Sequence, residues 1–173
     1  MALILAPDLY TNAAKTAIPG ARADHRYMSL TTAQIVNGNI IALGILPANH
    51  KLTSLAIESD ALDTGNTATV DVGILNTYYD QQQAGSSAQP AATYNSGGAT
   101  DTGVVPALVS GQNVFTGDTI VRAGGRQGAA TLAFTNAIGV DSKKDRIIAA
   151  KISASVGTAQ AGKLGIVYTV DEA

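Results

Sequence analysis

Apolar residues fall at every second position over several short stretches of this chain, and turn residues cut each stretch off before a helix could form. In residues 67–75, Ala68, Val70, Val72 and Ile74 share one face, and Thr67, Thr69 and Asp71 share the other. A strand sends successive side chains to opposite sides, so this spacing describes a strand buried on one side. Residues 146–156 repeat the pattern, with Ile148, Ala150, Ile152, Ala154 and Val156 set against Ala149, Lys151 and Ser153. In residues 163–170, Leu164, Ile166, Tyr168 and Val170 line up in the same way. Further strands are expected at 27–36, 40–46, 52–59, 114–121 and 130–135, rich in Val, Ile, Thr and Leu. Turn signals separate them at Asn37-Gly38-Asn39 and Pro47-Ala48-Asn49, and 157–162 reads as a hairpin between the last two strands. About eight strands without a long helical period predict an all-β chain, an antiparallel β-sandwich or jelly-roll-like domain with an extended N-terminal arm.

The arm is residues 1–26, where Pro7, Pro19 and Gly20 interrupt any period. Its Leu3, Ile4, Leu5, Leu9 and Ile18 are unfavourable in water and are expected, with Tyr10, to pack on a neighbouring subunit. The sandwich domain is residues 27–173. It is interrupted by a loop at 77–113 rich in Ser, Gly, Ala and Gln, far longer than an ordinary connection. Such a loop is either mobile or ordered by another subunit, with Tyr78, Tyr79, Val104, Val105 and Leu108 as its candidate anchors. Charged residues make up 14% of the chain, against about 25% in an average globular protein. A surface so poor in charge offers little repulsion between copies, which suits a homo-oligomer or a crowded assembly.

Composition also narrows the partners. The net charge is −2, and Lys143-Lys144 is the longest basic run, so nucleic acid is not an expected partner. No stretch approaches 18 apolar residues and the N-terminus lacks a basic region, so no membrane partner is expected, and synthesis in the cytoplasm is. The absence of cysteine removes disulfides, thiolate metal sites and cysteine nucleophiles. His25 and His50 are the only histidines and neither has a ligand at metal spacing; no cofactor or metal is expected.

One motif invites a catalytic reading. Asp63-Thr64-Gly65 and Asp101-Thr102-Gly103 match the triplet of aspartic proteases, in which two facing carboxylates share a proton. Asp63 follows the apolar Ala61 and Leu62, so a homodimer could use it twice; loop residues precede Asp101. The alternative is a turn between strands, with Asp63 and Asn66 capping the backbone and Gly65 supplying the bend. The flanking strands favour the turn, and no enzyme is expected.

The run "NGNIIALGILPANHKLTSLAIESDALDTGNTATVDVGIL" (37–75) and the closing "DRIIAAKISASVGTAQAGKLGIVYTV" (145–170) resemble the decoration or cement proteins of tailed bacteriophages. The shared pattern is an apolar strand ending in Leu-Pro, a Gly or Asn turn, a Ser-Asp-x-Leu-Asp-Thr-Gly turn and a Val-x-Val-Gly strand. The arm and residues 78–112 lie outside it. The resemblance implies a sandwich or jelly roll, often a homotrimer, that sits on the surface of the virion capsid. There it would clamp subunits of the major capsid protein against the pressure of packaged DNA. A tail or fibre module recognising the host is the other virion reading, with the long loop as its contact.

Overall fold

The alternating stretches fold into strands. The computed structural model describes residues 3–5, 22–78, 107–129 and 145–172. They carry β1 (Leu3–Leu5), β2 (Arg22–Leu30), β3 (Ile40–Leu46), β4 (His50–Ser59), β5 (Val70–Tyr78), β6 (Leu108–Asp118), β7 (Gly125–Gly128), β8 (Arg146–Ile152) and β9 (Gly162–Glu172). Helical structure among these residues is limited to a 3-10 turn at Thr32–Gln34 and a four-residue helix, α1 (Ile120–Ala123).

Two layers result, one ordered β1-β3-β8-β5-β6 and the other β2-β9-β4-β7. Apart from β1 the pairing is nested and antiparallel. β2 pairs with β9, β3 with β8, β4 with β7, and β5 with β6. The chain is thus a long two-stranded ribbon rolled up so that β9 also meets β4 and β8 also meets β5. This is the jelly-roll arrangement, and it confirms the all-β expectation. Only β5 and β6 are consecutive strands within one layer; every other link between successive strands crosses the sandwich.

Crossing links explain where the local readings miss. The turns at 37–39 and 47–49 do follow the expected residues, with Gly38 and Asn49 in the left-handed region, but each carries the chain to the opposite layer. The expected hairpin at 157–162 is not one. β8 ends at Ile152, and 153–161 leads to β9 in the other sheet. The strand expected at 27–36 runs instead over Arg22–Leu30, because Gln34 Oε1 accepts from the Thr31 N–H at 2.9 Å and bends the next residues into the 3-10 turn. The strand expected at 114–121 stops at Asp118, whose Oδ1 accepts from the Ile120 N–H at 2.9 Å and starts α1. The strand expected at 130–135 lies outside the described residues.

The layers pack face to face through Leu43, Ile57, Leu62, Ile148, Leu164 and Ile166, each fully buried. Tyr168 joins them, its hydroxyl donating to the Ile45 carbonyl at 3.1 Å. Each such aliphatic side chain contributes roughly 1.5–3 kcal/mol by leaving water. A second apolar cluster sits on the opposite side of the five-stranded sheet. Ile40, Ala42, Ile45, Leu75, Ile147 and Ala149 turn away from the main core, yet none is more than 5% exposed. That is why 40–46 is apolar at every position; a strand covered on both faces has no polar side to display. The arm contributes β1, which runs parallel to β3 with Ile4 opposite Ile41 and packs Ile4 against the main core.

Ile148 lies on the central strand β8 between Gly44 and Ile74. Ile148→Ala is expected to lower the free energy of unfolding by about 3 kcal/mol, read from urea denaturation. A loss under about 1 kcal/mol would contradict this packing.

Candidate functional site

The link between β4 and β5 carries Asp63. It is fully buried, and its carboxylate is ringed by donors. Oδ1 accepts from the backbone N–H of Gly65 at 3.0 Å, Gly157 at 3.1 Å and Thr158 at 2.8 Å. Oδ2 accepts from the N–H of Thr67 at 2.9 Å and of Ala68 at 2.7 Å, and from the Thr67 hydroxyl at 3.3 Å. The Asp63 N–H itself donates to Val121 of α1. One side chain therefore ties the β4–β5 link to the β8–β9 link. The two chains come so close there that a Cβ on Gly65 would lie 2.6 Å from the Gly157 Cα, so only glycine fits.

Burial alone pushes the Asp63 carboxyl up. The N–H groups of Thr158, Ala68, Thr67 and Gly65 outweigh it and hold the carboxyl well below the usual carboxylate range. A protease aspartate must face substrate and trade a proton with a second carboxylate. Asp63 has both oxygens committed to backbone donors and no open side, so the dimeric protease reading fails on geometry. The triplet is a structural anchor, and Asp101 lies outside the described residues.

The expected assembly residues divide between opposite edges of the five-stranded sheet. Leu3, Ile4 and Leu5 form β1 at one edge. Leu108 opens β6 at the other, opposite Leu75, and packs against the second apolar cluster; Tyr78 ends β5. Leu9, Tyr10, Ile18, Tyr79, Val104 and Val105 lie outside the described residues. The two histidines serve local bonds: His25 Nε2 meets Glu58 Oε2 at 2.8 Å, and His50 Nδ1 meets the Ala48 carbonyl at 2.8 Å. Among the described residues no group of three His, Asp or Glu side chains could hold a metal ion.

Sequence reasoning did not single out the outward face of the β2-β9-β4-β7 sheet. Tyr27, Gly165, Glu58 and Arg126 form one cross-strand row on it. Gly165 lets β2 and β9 approach closely, and beside it lies a cup of about 490 Å³ walled by Tyr27, His25, Glu58, Arg126 and Lys163. A Cβ on Gly165 would stand 2.6 Å from the Arg26 carbonyl oxygen and 2.7 Å from the Tyr27 Cβ. Glycine in the middle of an alternating strand was the available signal, since it often marks a close backbone approach or a ligand. Glu58 bridges His25 and Arg126, the latter at 3.3 Å, and the Lys163 ammonium lies 5.2 Å from the centre of the Tyr27 ring.

No protein-family model matches the sequence, and no curated protein matches it. Solved structures do. A chain in the capsid of Ralstonia phage GP4 superposes with a TM-score of 0.71 at 24% identity, over 99% of this chain and 99% of that one. A chain in the capsid asymmetric unit of cyanophage Pam1 gives 0.51 at 18% identity, over 92% of this chain and 94% of the other. The fold is one found in two phage capsids. In the first case the likeness covers nearly the whole of both chains.

The carboxylate of Asp63 titrates lower in the folded chain than in the unfolded one, so it favours folding above about pH 4 and loses that contribution as acid protonates it. The urea midpoint should therefore fall as the pH drops from about 5 to about 2, and Asp63→Asn should flatten that fall. At neutral pH the same variant is expected to lose about 3 kcal/mol, because an amide cannot accept at both positions.

Proposed function

We propose that this chain is a structural virion protein that decorates a phage capsid, binding across subunits of the major capsid protein and stabilising the shell. The observation that carries the reading is the full-length likeness to a chain of the Ralstonia phage GP4 capsid, matched from end to end at equal size. The composition agrees with it. At 14% charged residues, many copies can crowd on one lattice with little mutual repulsion. Repetition on that lattice multiplies weak single contacts into stable coverage. A homotrimer is the favoured unit, with the part of the expected arm that precedes β2 and the connection between β5 and β6 supplying contacts between copies or with the shell.

Purified protein mixed with heads that lack it should co-sediment to a fixed stoichiometry and raise the temperature at which those heads release DNA. Deleting residues 1–21 removes β1 but none of the eight nested strands. The truncated chain should keep its β circular dichroism and lose most of its occupancy on heads. Full-length protein that stays in the supernatant at every concentration would defeat the reading.

A further inference from the structure

We propose that the outward face of the β2-β9-β4-β7 sheet is the docking surface for an acidic segment of a partner polypeptide, with the cup over Gly165 at its centre. Naming the shell as that partner rests on the function proposed above; the surface itself does not. Among the described residues, this is the broad face left open. The outward side of the five-stranded sheet carries Ile40, Ala42, Ile45 and Ile147, none more than 5% exposed. Tyr27, by contrast, leaves 55% of its surface in water at the wall of the cup. A cup of about 490 Å³ is large enough for one or two side chains of an incoming loop.

Charge decides what enters. Both acidic groups at the cup are already engaged. Glu58 meets His25 through Oε2 and Arg126 through Oε1, and Asp60 Oδ2 accepts from the Lys163 N–H at 2.7 Å. The cations are engaged only in part. Lys163 lies over the Tyr27 ring, and its ammonium takes part in no ion pair among the described residues. Arg126 spends one nitrogen on Glu58 at 3.3 Å with 60% of its side chain exposed, leaving the rest of its planar donor fork open. A carboxylate placed between Lys163 and Arg126 would gain two charge-assisted bonds. Tyrosine and arginine are also the side chains that most often anchor protein interfaces.

Two measurements on the full chain test this. In the first, a blocked Gly-Glu-Gly-Asp-Gly peptide is titrated while backbone amide shifts are followed by NMR. Shifts should centre on Tyr27, Lys163, Gly165 and Arg126 and vanish at about 0.5 M salt. They should be absent in the double variant Lys163→Glu with Arg126→Glu, and kept in Gln160→Glu, which alters the charge of an exposed residue outside the lining of the cup. In the second, the same variants are added to heads. The double variant should need roughly tenfold more protein for equal occupancy, and Gln160→Glu should match the parent. Shifts that map elsewhere or fail to appear overturn the proposal, as does a folded double variant that coats heads like the parent. If the parent ignores heads while the peptide maps to the cup, the docking face stands and the shell reading falls.

Discussion

A charged group sealed from water holds this fold where two links crowd together. The Asp63 carboxylate accepts from five backbone N–H groups on two links that lie far apart in sequence. Burying a carboxylate is unfavourable by several kcal/mol unless donors replace the lost water. Here they do, and the requirement works in both directions. The N–H groups at Gly157 and Thr158 would be orphans without Asp63, and the β8–β9 link would have no fixed path between the layers. Because Asp63 also donates to Val121, helix α1 is drawn into the same node, and with it the entry to β7.

From that node the rolled ribbon follows. Links that cross the sandwich must be pinned where they cross, since no hairpin pairing guides them. The β3–β4 link has a comparable device: Asp145 Oδ1 accepts from the Ala48 N–H at 2.7 Å, and the Arg146 side chain donates to the His50 carbonyl at 2.7 Å. Acidic side chains at the ends of strands thus bind links remote in sequence. The low count of charged residues makes these few placements more telling.

The period-two pattern made the strands legible: alternation at 163–170 reports which side chains leave water, whereas the one-sided burial expected at 146–156 fails in β8, where Ile147 and Ala149 are buried as well. The run 40–46 was read as a strand, and its burial on both faces came only from the fold. Partner choice was not legible. Nothing local says that 153–161 crosses the sandwich rather than turning back, because glycine and threonine suit either path. Asp63 could be read as a turn former, but its reach to Gly157 and Thr158 depends on a tertiary approach that no nearby residue encodes. The cup over Gly165 was hidden for a related reason. Its members come from four strands, and only the register of β2, β9, β4 and β7 brings them into a row.

Nesting the first long strand against the last has a consequence for how the molecule is made. β2 finds its partner only once β9 has left the ribosome, and β3 must wait for β8. Throughout synthesis the growing polypeptide carries greasy, half-zipped edges with no mate yet translated, a condition that invites clumping between nascent chains. Among the nested antiparallel pairs, β5–β6 is innermost and the first that can close, so the ribbon zips outward from the middle of the message toward both termini.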